Sequence, residues 1–406
     1  MQIAVDLHSH SGHAGGVGNI PLKKVSATMK TKGIQVFGTG DVIFPARTLE
    51  LGEQIQEMYP GLFALPRDDS LFILQTEVIL SVRLKGYKHK IMAHHIILFP
   101  NFTCVERMQC LMHTWKQKNT IGRPFIVSDN LQQQTERLFA IQSIHPMVEI
   151  IPAHVMTPDG ILGSKNKLTS IEEFYGLFTN EINTVETGLS ADPFMLEQIP
   201  ELADKTMISN SDCHSAALNR IGREFTMLDV EELSYNSIIR SLRQNKVVFT
   251  AEFNPTEGRY HSTGHRCDRP GHDEAYLSND EEETVCPICH KPFLPGVERR
   301  IKQLAGNYTP IHTRKYHHLI PLVEAVASSL GLKSITSKKV TRIVDIVIGL
   351  WQTEINFWLA PVGDIESKLG GLIDDETIRA LTKIHDGKFT FSPAGFDGEY
   401  GVLKLK

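Results

Sequence analysis

The sequence predicts an α/β fold, on the strength of its strand-like runs, the helical stretches between them and the residues at which the runs stop. Short apolar or β-branched runs recur along residues 1–253: QIAVDLHSH, GIQVFGTGD, LFILQTEVILSV, KIMAHHIILFP, VEIIPAHV, INTVETGL and TMISNSDCH. Between several of them lie amphipathic stretches long enough for helices, such as LKKVSATMKTK and SIEEFYGLF. Alternating strand and helix signals give a β/α barrel or a wound sheet, in which loops at the carboxyl ends of the strands carry the chemistry. Nearly every run stops at a histidine or an acid, which is where such chemistry would sit.

Composition bounds the rest. A chain of 406 residues, 41% apolar and 22% charged, exceeds the ~250–300 residues at which one core stops growing, so more than one domain is expected. A net charge of -5 makes no basic field over the whole protein, and any nucleic-acid contact must come from local patches. The N-terminus MQIAVDLHSH has no basic n-region or apolar h-region, and no apolar run approaches the ~20 residues that cross a bilayer. A soluble, cytoplasmic protein with no membrane partner is expected. Of six cysteines, Cys104, Cys110 and Cys213 are scattered while Cys267, Cys286 and Cys289 cluster, a pattern of metal binding in a reducing compartment rather than of a disulfide framework.

The first run ends in His8 and His10, spaced i, i+2, so that on extended backbone both imidazoles point to one side and can grip one cation. The later runs add Asp41, Glu77, His94 or His95, His154, and Asp212 with His214. Neutral imidazole and carboxylate suit zinc, manganese or iron, and a carboxylate can bridge two ions. One such residue at a strand end is usually a cap or a satisfied polar turn; their recurrence at end after end favours a shared metal cluster. The glycines between Gly12 and Gly18 do not form a phosphate loop, because the lysine and hydroxyl such a loop needs are missing.

DLHSH, the Asp after GTG, the Glu of TEV, PAHV and SDCH resemble, in order, the motifs of the polymerase and histidinol phosphatase (PHP) superfamily, a distorted barrel of seven β/α units holding up to three metal ions. GTGD, AHHIILFPN, GRP at Gly122 to Pro124, IPAHVMTPDGILGSK, VETGLSADP and NSDCHS narrow the resemblance to endonuclease Q, DNA-repair enzymes that nick DNA on the 5′ side of deaminated bases. The resemblance implies a PHP-type barrel over 1–253. In it His8, His10, Glu77 and Asp212 hold one metal and form the catalytic core, Glu77 bridges to a second ion held with His94 or His95 and His154, and Asp41 and His214 complete the cluster. It implies Mg²⁺ or Mn²⁺ for catalysis, zinc in the cluster, and double-stranded DNA carrying uracil, hypoxanthine, xanthine or a similar lesion as partner. A monomer and a sliding-clamp partner belong to the same expectation, although no docking peptide is legible at the C-terminus. Glu186 and Asp192 read as either base-pocket or structural residues. The chain departs from the family at Phe44, where a histidine is expected, at Asp159, where an aromatic is expected, and in GHAGGVGN after His10; His13 is the nearest substitute for the missing ligand.

After NKVVFTAEFN the composition shifts. Residues 254–300 are expected to form a small zinc-binding module, because Cys286 and Cys289 make a Cys-x-x-Cys turn that places two thiolates about one metal. Cys267 is expected as third ligand. The fourth is His265, which matches a GHR segment of the family, or His272, which is geometrically easier. So polar a segment has little core of its own, and zinc would supply much of its folding free energy. Residues 301–406 read as mainly helical, since HTRKYHHLIPLVEAVASSLG and LKSITSKKVTRIVDIVIGL carry helical periodicity; a charge run there is usually a solvated face, and it is the resemblance to endonuclease Q that implies a DNA-binding region. Lys338, Lys339, Arg342, Arg314 and Lys315 are its candidate phosphate contacts. IPLVEAVASSLG, TSKKV and PAGFDGEYG extend the resemblance almost to Lys406. Trp115, Trp351 and Trp358 fall in helical patterns and read as packing residues.

Overall fold

The computed structural model describes residues 1–15 and 17–406. The N-terminal part is built on strands β1 (Gln2–Asp6), β2 (Val36–Gly38), β3 (Gln56–Tyr59), β4 (Leu62–Ala64), β5 (Leu71–Val82) and β6 (Ile91–Phe99), continuing with β7 (Phe125–Ser128), β8 (Glu149–Pro152), β9 (Thr184–Glu186), β10 (Thr206–Ile208), β11 (Phe225–Asp229) and β12 (Val247–Glu252). The fold is α/β with a mixed sheet. β1, β2, β5 and β7 run parallel in succession, whereas β5–β6, β6–β8, β1–β11 and β11–β12 pair antiparallel. The mixture has a local cause at β5–β6: the 83–90 link holds no helix, and so short a connection can only reverse the chain.

Side chains along each strand alternate between two apolar clusters. Ile3, Val5 and Leu7 of the first run meet Val36, Ile73, Ile96, Ile151 and Ile208 on one side. Ala4, Phe37, Phe72, Leu74 and Val78 face helices on the other, against Met29, Leu51, Val105 and Leu138. Each fully buried aliphatic side chain stabilises this packing by about 1.5–3 kcal/mol. The parallel pair β9–β10 sits beside β8 through Val155 N donating to Glu186 O at 3.1 Å. Beyond β10 the chain rejoins the end of β1, with His10 N donating to Cys213 O at 3.0 Å and Ser9 bridged to Cys213. Through β1, β2, β5, β6, β8, β9, β10 and back to β1, the segments that carry histidines and acids are drawn around one centre.

LKKVSATMKTK forms the helix Leu22–Lys32, buries Leu22, Val25 and Met29, and stops at Gly33 with φ 90°. SIEEFYGLF gives only a short helix, Glu172–Tyr175, followed by a 3-10 turn over Gly176–Glu181; the α-helix ends at Gly176, whose φ of 54° is open to glycine and costly for other residues.

Residues after β12 are more interwoven than the sequence suggests. A two-stranded ribbon, β13 (Gly264–His265) and β14 (Tyr276–Leu277), carries the cysteine-rich segment. The helix Val297–Ala305 sends Val297 and Ile301 into the N-terminal core. β15 (Tyr316–His318) adds to the main sheet parallel to β12, so TRKYHH is strand and coil rather than helix. The helices Leu322–Ser329, Lys338–Trp351, Glu354–Trp358, Val362–Leu369 and Asp375–His385 then build a separate core with Trp351 and Trp358 inside it, while Trp115 packs against the first core. The ribbon of β16 (Phe389–Phe391) and β17 (Leu403–Leu405) closes the chain. The link between these two strands folds back on the segment after β12: Gly395 N donates to Thr256 O at 2.8 Å, and Ser262 N donates to Gly395 O at 2.9 Å. No helix among the described residues is long and apolar enough to cross a membrane.

Candidate active site and metal centres

The strand-end residues converge. His8 and His10 leave β1 on one side because Ser9 between them points away, its hydroxyl donating to Gly38 O at 2.7 Å. His8 Nδ1 lies 3.0 Å from Glu186 Oε1 and His10 Nδ1 lies 3.2 Å from Asp41 Oδ1. A ring nitrogen that donates to a carboxylate leaves the other nitrogen as a bare lone pair, the arrangement of a metal-ligating histidine. Both free nitrogens point inward. His8 Nε2 lies 3.8 Å from Glu77 Oε1 and 3.7 Å from Asp212 Oδ1; His10 Nε2 lies 3.3 Å from Glu77 Oε2 and 3.2 Å from Asp212 Oδ1.

Glu77 lies mid-strand in β5 rather than at a strand end, buried under the whole cluster, with His94 Nδ1 at 2.6 Å and His154 Nε2 at 3.4 Å from its Oε1. The register decides between the two adjacent histidines of β6. His94 stands opposite Ile79, on the same face as Glu77, whereas His95 stands opposite Val78 and faces away. His95 instead bonds Tyr175 Oη at 2.6 Å and stacks on Phe174, and burial holds its imidazole down to about 3. His95 is therefore set aside as a ligand. Asp212 and His214 follow β10, with His214 Nδ1 3.8 Å from Asp212 Oδ1. Asp41 sits behind His10 and also accepts from Ser11 N and Ser11 Oγ at 2.6 Å; it orients a ligand instead of facing the centre.

Three overlapping groups result: His8, His10 and Glu77; His10, Asp212 and His214; Glu77, His94 and His154. The buried atoms His8 Nε2, His10 Nε2 and Asp212 Oδ1 have no hydrogen-bond partner, a costly state unless something polar occupies the space between them. Ligand atoms 3.2–3.8 Å apart match a cation bonded at about 2.0–2.2 Å to each, so the residues present fit metal ions. Asp41, His154 and Asp212 hold positive φ values of 55°, 32° and 44°, a conformation that costs a non-glycine residue on the order of 1–3 kcal/mol and is retained where the site needs the side chain there.

The electrostatics agree. Burial alone would lower the His8 imidazole, but Glu186, Asp212 and Glu77 outweigh it and raise it to about 9. Burial works against the charged forms of Glu77 and Asp212, yet the surrounding histidines hold both well below the usual carboxylate range. The metal-free cluster thus keeps protons on nitrogens that a metal needs bare, and the two compete. Below about 9 the proton holds His8, so Mn²⁺ affinity is expected to rise as pH rises from 7 to 9, with proton uptake by the buffer on binding. Titration calorimetry in buffers of different ionisation enthalpy checks this; a pH-independent affinity with no released protons would contradict it.

Sequence reading left open the roles of the residues behind and beside the candidate ligands. Glu186 is structural: besides His8 it accepts from His154 N at 2.8 Å and Asn210 Nδ2 at 2.9 Å. Asp192 caps a short helix and bonds His318 Nε2 at 3.0 Å. Arg123 reaches Glu77 Oε2 at 3.3 Å; the GRP segment was its only signal. His13 does not replace the ligand lost at Phe44, since its Nε2 bonds Glu50 at 2.9 Å, its ring packs on Phe44, and it joins none of the three groups. Asp159 is exposed and paired with Lys165.

A second centre lies in the β13–β14 segment, formed by His265, His272, Cys286 and Cys289. Cys286 Sγ–His272 Nε2 is 3.4 Å, Cys289 Sγ–His265 Nδ1 3.3 Å, and His265 Nδ1–His272 Nε2 3.3 Å. A zinc tetrahedron with bonds of about 2.0–2.3 Å has edges of this length. His272 Nδ1 is held by Glu274 O at 3.2 Å, leaving Nε2 for the centre. Cys267 is exposed and outside the group, so both histidines serve and the third cysteine does not. The reason is the β13–β14 ribbon, which turns His265 inward and carries Cys267 past the site.

Of the basic residues, Lys338, Lys339 and Arg342 are exposed on the first turns of the helix Lys338–Trp351, and Lys315 is exposed beside β15. Arg314 is committed elsewhere: Nη1 bonds Glu197 Oε1 and Nη2 bonds the carbonyls of Ala203 and Lys205, each at 2.7 Å. It braces the fold instead of offering a free cation.

The chain thus has an α/β fold in which a mixed sheet gathers clustered candidate metal ligands. No protein-family model matches the chain. The solved structure of the lesion-specific endonuclease Q from Pyrococcus furiosus matches with a TM-score of 0.83 at 26% identity, covering 100% of this chain and 96% of that one. An endonuclease Q structure in complex with a 27-mer duplex substrate bearing an abasic lesion at its active site matches with the same TM-score and identity. Along its whole length the chain is similar to endonuclease Q. Its sequence relatives include the uncharacterized YqxK of Bacillus subtilis, 25% identical with 99% of both chains covered. An uncharacterized protein of Methanocaldococcus jannaschii is 31% identical over 245 residues; that match covers 58% of this chain and 30% of the relative's length.

Proposed function

We propose that the chain is a metal-dependent DNA endonuclease that recognises a deaminated base such as uracil, hypoxanthine or xanthine and hydrolyses the phosphodiester on its 5′ side. The observation that carries the reading is the convergence of His8, His10, Glu77, His94, His154, Asp212 and His214 in a chain that matches endonuclease Q from end to end. In this reading residues 1–253 form the distorted β/α barrel, and the circuit of strand contacts that returns from β10 to β1 supports it.

His8, His10, Glu77 and Asp212 would hold one ion, Glu77 with His94 and His154 a second, and His214 would close a third group with His10 and Asp212. Mg²⁺ or Mn²⁺ bound there supplies an acidified water and neutralises charge on the phosphate. The chain's own part is preorganisation: Glu186, Asp41 and Thr157 hold Nδ1 of His8, His10 and His154, so the Nε2 atoms of these three stay aimed at the centre without reorganising. The lesion would leave the base stack to be inspected, since a damaged pair costs less to open. Lys338, Lys339, Arg342 and Lys315 would hold backbone phosphates, which position the duplex without reading its sequence. A labelled duplex with one uracil, incubated with Mg²⁺ or Mn²⁺, should be nicked once, 5′ to the uracil. Cleavage of phosphomonoesters with the duplex left intact would refute the reading.

The His265, His272, Cys286 and Cys289 centre would hold structural zinc. Most of the segment's polar surface has little core beneath it, so binding the metal and folding should be one event. Chelation is expected to expose residues 264–293 to protease while the barrel stays protected. Cys286→Ser should do the same, and Cys267→Ser should change neither zinc content nor digestion pattern.

A further inference from the structure

We infer that Arg123 contacts the substrate itself, taking a non-bridging oxygen of the scissile phosphate beside Glu77; the inference rests on the phosphodiester-hydrolase reading above. The backbone of Arg123 is fixed from both sides. Thr76 Oγ1 donates to Gly122 O at 3.4 Å, and Ile79 N donates to Pro124 O at 2.9 Å. Gly122 is pressed so closely on the site that an added Cβ would stand 2.2 Å from Asp41 Cβ. The side chain therefore starts from a defined point at the edge of the cluster.

Its guanidinium is in an unusual position. Nη1 lies 3.3 Å from Glu77 Oε2, the carboxylate that two ligand groups share, while Nε and Nη2 meet no acceptor among the described residues. Neutralising Glu77 does not require it, because His10, His94 and His154 already surround that carboxylate. Cations held by Glu77 would repel a guanidinium beside them, and the tension is relieved when an anion enters between them. With its side chain 28% exposed, Arg123 can be reached by a phosphate arriving from solvent. A planar fork of donors matches two phosphate oxygens in a way an ammonium does not. Among the described residues, Arg123 is the arginine or lysine whose side chain bonds the shared carboxylate.

The test compares Arg123→Gln and Arg123→Lys with the unmodified full chain in three measurements. They are Mn²⁺ bound per chain, binding of inorganic phosphate to the Mn²⁺-loaded protein, and single-turnover cleavage of a duplex with one uracil. Arg123→Gln is expected to keep its Mn²⁺, to bind phosphate about tenfold to a hundredfold more weakly, and to cut about 10²–10³-fold more slowly. Arg123→Lys should recover part of both losses. Unchanged phosphate binding in Arg123→Gln would overturn the inference whatever happens to DNA. Loss of Mn²⁺ in step with cleavage would also overturn it and make Arg123 a support for Glu77. If the unmodified chain leaves duplex DNA intact yet binds phosphate through Arg123, the nuclease reading falls and the phosphate contact stands.

Discussion

Glu77→Gln is expected to abolish strand cleavage, by about 10³-fold or more, and to remove bound metal with it. The carboxylate is shared between the groups formed with His8 and His10 and with His94 and His154, so one substitution strips an anionic ligand from both. An amide of the same size carries no charge and offers one weak acceptor oxygen, so both groups lose the anionic ligand they share. Metal-ion charge stabilisation is worth several kcal/mol in such a site, and each 1.4 kcal/mol or so is a factor of about ten in rate. Asp212→Ala should likewise abolish cleavage while leaving DNA binding largely intact, because Asp212 faces the centre instead of the duplex-binding surface. The checks are metal content by mass spectrometry, nicking of the lesion duplex and thermal unfolding to exclude collapse. A Glu77→Gln protein that still nicks at the unmodified rate would remove the cluster from the chemistry.

The second large effect concerns stability. Lys32, at the end of the helix Leu22–Lys32, is 1% exposed and its Nζ lies 2.6 Å from Glu354 Oε1 at the start of a C-terminal helix, itself only 6% exposed. Nζ also donates to Leu218 O at 3.1 Å, and Glu354 Oε1 accepts from Leu322 N at 3.0 Å. The pair ties the C-terminal helices to the N-terminal part. Removing one partner strands a charge without water or counter-ion, and Lys32→Met is expected to destabilise the protein by about 3–5 kcal/mol. Lys32→Met combined with Glu354→Gln should recover much of that loss, since no buried charge then remains and the amide oxygen still serves Leu322 N. Urea unfolding of the single variants and the pair measures the coupling; additive effects would mean that the ion pair holds nothing together.

The endonuclease Q motifs were legible because the family's chemistry needs particular residue types at particular places in each run. His8, His10, Glu77, His154, Asp212 and His214 all reach one centre. What the linear order could not decide was direction. His94 and His95 are equivalent in sequence and opposite in space, because neighbouring strand residues face opposite sides and the pairing of Ile79 with His94 sets which side is inward. Cys267 and His272 are alike: spacing favours the third cysteine, yet the β13–β14 ribbon presents the second histidine. Arg314 looked like a free cation within a basic stretch until Glu197 arrived beside it from another element.

Residue type and order along the chain therefore determined by themselves the α/β class and most of the candidate metal ligands, since periodicity and donor identity are local properties of a sequence. Only the tertiary structure decided which of two adjacent histidines turns inward, that Asp41 and Glu186 stand behind His10 and His8, that Arg123 overlooks Glu77, and that β15 belongs to the main sheet. Those outcomes depend on strand register and on contacts between residues distant in the chain, where a shift of one position turns every side chain to the opposite face.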